Sequence, residues 1–274
     1  MTSDCGAWPN ESAASDVNPA ARAEPVARGA TASSAVTTSV ASALVGGCRE
    51  TAALFRLMAW LSPAYPVGAF SYSSGLEWAV EAGDVTDAGK LERWLAAMIG
   101  SGNGSCDATF FVHAYRAAQV MDRAALVGVA ELAAAFSPSK ERHLETTAQG
   151  TAFLTATRAA WPCDTLDRLV TWWGGPYAYP VSVAVAAAGH RIAVKPALLA
   201  YLHALTSNLI SAGIRLIPLG QSQGQSVLAA LEPVIVATVT RALLAPLEEV
   251  GSAAFRADIA SQRHEVQYTR LFRS

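Results

Sequence analysis

A helical repeat of apolar residues, running from about residue 50 to the C terminus, constrains the fold more than any other feature of this sequence. Apolar side chains recur at positions i, i+3, i+4 and i+7, as they do from Leu54 to Leu61, from Leu91 to Met98 and from Leu166 to Trp173. This spacing places them on one face of an α-helix. Alanine, the residue with the highest helix propensity, supplies 56 of the 274 residues. The sequence therefore predicts an all-α fold.

The pattern predicts a compact single-domain bundle of about ten helices. Aspartates that can cap a helix precede two of them, at Asp87 and Asp122. The breaks between helices are short, so consecutive helices should pack antiparallel. We expect the two longest and most apolar helices, 196–217 and 222–244, to lie at the centre of the bundle. Pro233 should kink or split the helix over 222–244. The predicted helices span residues 51–61, 72–82, 88–100, 106–120, 123–136, 140–160, 164–173, 179–189, 196–217, 222–244 and 247–263.

Composition and charge exclude several classes of protein. Hydrophobic residues make up 52% of the chain and charged residues 15%, with a formal net charge of −2. These values exclude a polybasic nucleic-acid-binding protein and a wholly disordered chain. Two long uncharged runs, 169–190 and 196–214, are interrupted by glycine and proline or by polar residues in their middle, so we interpret them as buried helices and not as membrane spans.

The first 48 residues differ from the rest of the chain. They are rich in alanine, serine, threonine, proline and glycine, contain one aromatic residue, Trp8, and show no helical period. Their four acidic and two basic residues account for the whole net charge of −2. We therefore expect residues 1–48 to be a disordered, dispensable leader, residues 49–260 to form the helical domain, and residues 261–274 to form a partner-binding tail.

Neither metal binding nor catalysis has a motif in this sequence. The four cysteines form no CxxC pair and the five histidines no HxxxH pair, which is typical of free thiols and isolated histidines in a cytoplasmic protein. A nucleophile elbow and a phosphate-binding loop with its lysine are also missing. We expect no enzyme activity, no metal and no cofactor. One alternative stays open, a helical enzyme with a small-molecule pocket around His203, Asn208 and Arg215.

Two segments carry residue types that suit protein–protein contacts. The segment 61–78 combines prolines, glycine and aromatic residues, which indicates a rigid loop between helices. The tail has the arginine, tyrosine, leucine and phenylalanine content of a binding hot spot, and we expect it to be flexible until a partner orders it, with His264 exposed. We expect Tyr72 and Glu77 to face either the core or a partner, and Glu77→Ala to keep the fold while weakening partner binding. We expect Gly68 to occupy a backbone position where a side chain would interfere. The candidate partner-binding residues are Pro66, Gly68, Tyr72 and Glu77 in the loop and Tyr268, Arg270, Leu271, Phe272 and Arg273 in the tail.

Three motifs, in the right order, resemble those of one known family, the urease accessory protein UreF. The first is the segment 54–81, which contains the proline- and glycine-bearing loop, and the third is the ending 264–274. The second, 214–225, is similar to the family signature Arg-Leu-x-Pro-Leu-Gly-Gln-x-x-Gly-Gln. Its structural residues here are Arg215, Gly220, Gln221, Gly224 and Gln225. The resemblance covers roughly residues 50–274 and leaves the leader outside.

The resemblance implies an all-α homodimer that acts as a cytoplasmic chaperone. Members of this family work with the accessory protein UreD, called UreH in some systems, and with the GTPase UreG to deliver nickel to apo-urease. The resemblance also implies that the tail docks onto UreD, that the chain influences GTP hydrolysis by UreG, and that the chain itself is not an enzyme. A generic helical adaptor unrelated to urease is the remaining alternative.

Overall fold

The computed structural model describes Gly47 and residues 49–273, so the expected leader lies, apart from Gly47, outside the described residues. Within this part of the chain every regular element is a helix, which confirms the all-α prediction. Two short 3-10 turns, Ala69–Ser71 and Leu247–Glu249, accompany the α-helices. The α-helices are α1 (49–60), α2 (Leu76–Glu81), α3 (Ala88–Ser101), α4 (Asn103–Gln119), α5 (Arg123–Ala135), α6 (Lys140–Ala160), α7 (Asp164–Trp172), α8 (Tyr179–Gly189), α9 (Val194–Leu216), α10 (Gln221–Ala242) and α11 (Phe255–His264).

Side-chain caps fix several of the helix starts. The carboxylate of Asp87 accepts the backbone N–H of Lys90, and that of Asp122 accepts the N–H of Ala125. The hydroxyl of Ser139 accepts the N–H of Arg142 at the start of α6. Each cap satisfies one of the donors that a helix start leaves without a partner in the helix. Because caps and apolar period are both local signals, most predicted helix limits lie within a few residues of the observed ones.

Helix α8 forms the centre of the fold. All its residues from Tyr179 to Ala188 are buried, and it packs against α4, α6, α7 and α9. Its alternating valines, a strand-like pattern in the sequence, lie in a helix that is apolar on every side. The expectation that α9 and α10 occupy the centre is therefore wrong, since each of them keeps an exposed face with Leu199 or Val236 on it.

Two other elements differ from the sequence-based expectation. Helix α10 continues through Pro233 as one helix, so of the expected kink or split the split does not occur. The helix predicted over 247–263 is instead a 3-10 turn and then α11, separated by residues 250–254, of which Val250 is extended. Among the described residues, α9 alone is long and apolar enough to cross a membrane by length and composition, and half of its most apolar stretch is buried in the protein, as in a core helix.

The packing of α2 brings three distant parts of the chain together. Helix α2 lies against α9 and α11, and α11 also lies against α6. At the start of α2, Gly75 has a φ of +81° and approaches α11 so closely that a Cβ would lie 2.6 Å from the backbone nitrogen of Ser261. Only glycine fits both the left-handed backbone and this approach. The loop before α2, the end of α9 and the chain after α11 therefore meet on one side of the molecule.

Candidate interaction surface

The loop before α2 is held rigidly by two side chains of α9. Asn208 donates its Nδ2–H to the carbonyl of Ala69 at 2.9 Å, and Arg215 donates from Nη2 to the carbonyl of Phe70 at 2.8 Å. Gly68 has a φ of +70°, in the left-handed region, with open space where a Cβ would stand. Gly68 therefore occupies the kind of backbone position that the sequence led us to expect, and the reason is its left-handed backbone angle, which other residues rarely adopt, and not a lack of space.

The tail packs on this loop. The phenyl ring of Phe272 is 4% exposed and lies under the guanidinium of Arg215, 4.2 Å from its carbon to the ring centroid. The backbone N–H of Arg273 donates to the carbonyl of Ser71 at 2.8 Å. We expected a tail that is flexible until a partner orders it, but the structure has the tail packed on the core, because Phe272 contributes a buried aromatic anchor that no helical period could reveal.

Glu77 joins the tail to α2. Its Oε1 accepts the backbone N–H of Leu271 at 2.6 Å, and its Oε2 accepts the N–H of Phe272 at 2.9 Å. The side chain is buried, so it offers a partner no surface in this arrangement. Of the two orientations expected for Glu77, toward the core or toward a partner, the structure has the first.

His264 completes the attachment of the tail. The ring is 0% exposed, although the sequence suggested an exposed histidine. Its Nε2 lies 3.0 Å from Oε2 of Glu77, and its Nδ1 lies 2.5 Å from Oε2 of Glu141. The other oxygen of Glu141 accepts from Nη1 of Arg270 at 2.7 Å. Because both ring nitrogens already face carboxylate oxygens, neither is free to bind a metal.

The remaining candidate residues divide into buried and exposed groups. Tyr72 is buried, and burial raises the pKa of its phenol, with Arg273 acting in the opposite direction. Pro66, Arg270 and Arg273 are exposed. The loop and the docked tail carry four large side chains that stand in solvent: Phe70 at 67%, Leu271 at 64%, Val266 at 78% and Tyr268 fully exposed. We call Phe70, Tyr268 and Leu271 the loop–tail surface. Phe70 was part of the segment that the sequence singled out, but no local pattern marked it as exposed.

The motif over 214–225 has three structural roles. Arg215 holds the loop and the tail, as described above. Gly220 caps α10, whose first residue is Gln221, and its N–H donates to Oε1 of Gln223 at 2.9 Å. Gly224 lets α9 and α10 approach, since a Cβ there would lie 2.5 Å from Cδ1 of Ile214. Gln225 faces a different part of the surface, between α1, α9 and α10.

That second region is an apolar groove of about 890 Å³. The groove is lined by Leu57, Met58, Leu199, Leu228 and Val236 among others, and Glu232 is the charged residue in its lining. Leu54, Phe55 and Met58 on α1 are 59%, 66% and 68% exposed. The apolar period of α1 predicted a buried face, yet Leu57 is its buried member and Leu54 and Met58 are not. Periodicity marks an apolar face without telling what covers it.

The pocket suggested around His203, Asn208 and Arg215 does not form. Asn208 and Arg215 bind carbonyl groups of the loop, whereas His203 is exposed and lines the apolar groove. The alternative of a helical enzyme built on these three residues is wrong, because their polar atoms serve the loop backbone or face another surface. Within the described part of the chain, no three His, Cys, Asp or Glu side chains converge as metal ligands would.

A separate polar cluster lies inside the bundle. The hydroxyl of Tyr201 donates to Asp107 at 2.8 Å, and Arg142 and Glu145 form an ion pair at 2.6 Å. Ser74 donates to Glu145 at 3.0 Å. Desolvation raises the pKa of Asp107 to about 6, although Arg142 and the bond from Tyr201 act to lower it. The cluster links α4, α6 and α9 to the start of α2.

Comparison with known proteins gives one consistent family. The UreF family model matches residues 85–232. The urease accessory protein UreF of Bradyrhizobium diazoefficiens is 60% identical over 226 residues, covering 82% of this chain and 93% of the relative. That of Rhodopseudomonas palustris strain HaA2 is 61% identical over 225 residues, covering 82% and 95%. UreF of Bradyrhizobium sp. strain ORS 278 is 60% identical over 228 residues, covering 83% and 95%. With the three motifs meeting in one all-α fold, this chain belongs to the UreF family of urease accessory proteins.

Proposed function

We propose that this urease accessory protein, which is not an enzyme, acts in the cytoplasm as a scaffold for nickel delivery to apo-urease. In this proposal the loop–tail surface binds UreD, and the complex then engages the GTPase UreG. The observation that carries the proposal is the convergence of the three sequence motifs. Arg215 of the second motif contacts the loop of the first through Phe70 and the tail of the third through Phe272.

The exposed side chains of this surface suit a protein partner. Aromatic, leucine and arginine side chains are enriched where binding energy is concentrated. Burying Leu271 or Phe70 against a partner contributes about 1.5–3 kcal/mol each. Because the tail is already held on the core by Glu77 and Phe272, little conformational entropy is lost on binding. In this proposal the binding surface is already formed before the partner arrives, in contrast to the flexible tail that we expected from the sequence.

Co-purification with UreD tests this proposal. Leu271→Asp places a charge on the loop–tail surface, and we expect it to weaken capture of UreD by at least about tenfold, which corresponds to about 1.4 kcal/mol. The matched control is Val120→Asp, since Val120 is 72% exposed at the end of α4 and away from the three motifs. Equal capture by both variants and the unchanged chain would place the partner surface elsewhere.

We further propose that two copies of the chain pair through the apolar groove. Leu54 and Met58 of α1 line the groove between α1, α9 and α10, and Phe55 follows Leu54 on the same helix; we call these three exposed side chains the ridge of α1. In a two-fold interface each copy presents the same residues to the other, so the ridge of one copy can pack against the groove of its partner. Leaving such apolar side chains in water is unfavourable, and a second copy covers them. The groove and the loop–tail surface share none of the residues named for them, so pairing and UreD binding use separate parts of the chain.

A further inference from the structure

The apolar groove contains two polar side chains that the single chain leaves without partners. Glu232 on α10 is the charged residue of its lining, and His203 on α9 lines it as well. Both side chains are exposed, and within the described part of the chain neither forms a hydrogen bond or an ion pair. Whatever covers the groove therefore has to suit a carboxylate and an imidazole in addition to the apolar side chains around them.

Covering the groove takes water away from the carboxylate of Glu232. A carboxylate that loses its water without gaining a hydrogen-bond donor is strongly unfavourable. Leu228, Ala229 and Val236 lie on the same face of α10, one turn away from Glu232, and their side chains carry no donor. Gln225 lies two turns before Glu232, about 10 Å along the helix axis. The donor for Glu232 therefore has to come from the molecule that covers the groove.

A second copy in two-fold orientation brings such a donor. In a two-fold interface, residue i of one copy contacts residue j of the other, and residue j contacts residue i in return. The groove that holds Glu232 also holds His203, whose ring keeps at least one N–H to donate in either of its charge states. A partner with a purely apolar face would leave the carboxylate without a donor. The lining of the groove is therefore complementary to itself.

We propose that His203 of each copy donates a hydrogen bond to Glu232 of the other copy, so that two such bonds fix how the copies pair. The inference rests on the homodimer of the proposed function and adds the residues that specify it. Apolar contacts along the ridge of α1 are not directional and supply affinity. A hydrogen bond needs its donor and acceptor at a set distance, so the polar pair sets the register. A single polar position has the same effect in the apolar interface of a coiled coil.

Exchanging the charges of the two positions in the full-length chain tests the proposal. Glu232→Arg places a cation opposite His203, and His203→Glu places an acid opposite Glu232. We expect each variant to raise the dissociation constant of the dimer at least about tenfold in analytical ultracentrifugation, because like groups then face each other. The double variant exchanges acid and donor and should recover most of the pairing. Both positions are exposed in one copy, so the helix content measured by circular dichroism should stay unchanged.

Mixing the two single variants separates pairing between copies from pairing within one copy. In a mixed dimer the new glutamate of one copy faces the new arginine of the other. The native Glu232 of the first copy then faces the native His203 of the second, so every acid meets a donor. With a different fluorophore on each variant, energy transfer should show mixed dimers at concentrations at which either variant alone is monomeric. Recovery in the double variant without recovery in the mixture would place the pair within one copy and overturn the proposal.

A control and a reserve variant complete the experiment. Glu131→Arg is the matched control, because Glu131 is exposed on α5 and does not line the groove, and its dimer should dissociate like that of the unchanged chain. If His203→Glu does not fold, His203→Ala removes the donor alone and should weaken pairing in the same direction. A dimeric unchanged chain with unaffected single variants would overturn this inference and leave the homodimer standing. A monomeric unchanged chain would overturn both.

Discussion

Glu77 joins two segments that lie 194 residues apart in the sequence. Its buried carboxylate accepts two backbone N–H groups of the tail and faces His264. We expect Glu77→Gln, which keeps the size and removes the charge, to lower the free energy of unfolding by about 1.5–3 kcal/mol. The amides of Leu271 and Phe272 should also lose protection against hydrogen exchange. Urea denaturation and exchange measurements check both effects.

The control for this prediction is Glu131→Gln. Glu131 is exposed on α5, and its substitution should change the free energy of unfolding by less than about 0.5 kcal/mol. Unchanged exchange at Leu271 and Phe272 in Glu77→Gln would mean that the tail is held by its other contacts alone.

The raised pKa of Asp107 predicts how the free energy of unfolding depends on pH. Burial raises its pKa from 3.8 to about 6, so the folded chain binds a proton more tightly than the unfolded chain. The stabilisation from that proton is complete below about pH 4 and is lost as pH rises through about 6. Asp107→Asn removes this titration and keeps an acceptor for Tyr201. Relative to the unchanged chain, the variant should therefore gain stability from pH 4 to pH 7, by about 3 kcal/mol at most. Parallel stability curves for the two proteins would contradict this.

At the scale of elements, the sequence predicts what is set locally. The caps at Asp87 and Asp122 act within three residues, and the helices that follow them begin where the sequence places them. The central position of α8 could not be predicted, because short runs of valine and alanine do not tell whether neighbours cover every side. The docked tail could not be predicted either, since Phe272 is buried by Arg215, a residue in a different element.

The tail offers two aromatic residues, four positions apart, with opposite environments. Phe272 is 4% exposed, whereas Tyr268 is fully exposed. Truncating a buried phenylalanine to alanine costs about 3–5 kcal/mol, and in a protein of this size each kcal/mol lowers the melting temperature by about 2–4 °C. We expect Phe272→Ala to lower the melting temperature by at least about 6 °C and Tyr268→Ala to leave it unchanged. Equal melting temperatures for the two variants would show that the tail does not pack on the core in solution.

At the scale of the whole molecule, the described residues form two exposed surfaces of different character, the loop–tail surface and the apolar groove. The loop–tail surface is built from long-range contacts, which is why the sequence identified its motifs but not the way they meet. The apolar groove is built from helix faces, which is why the sequence identified its residues but assigned them to the core. Both failures of prediction have the same cause. A residue pattern shows whether a helix face or loop is apolar or polar, but tertiary packing decides what covers it.

Pairing through the groove is testable because its ridge is exposed in the single chain. Phe55 is 66% exposed, so Phe55→Asp should leave the fold and the melting temperature of one copy nearly unchanged. In a dimer the new carboxylate would be buried without a partner, which is strongly unfavourable. Light scattering after size exclusion should give twice the chain mass of 28.6 kDa for the unchanged protein and the single chain mass for Phe55→Asp. Leu244→Asp, at a site 82% exposed beyond the end of α10, should stay dimeric. A dimeric Phe55→Asp variant would exclude the groove as the pairing face, and a monomeric unchanged chain would exclude the homodimer itself.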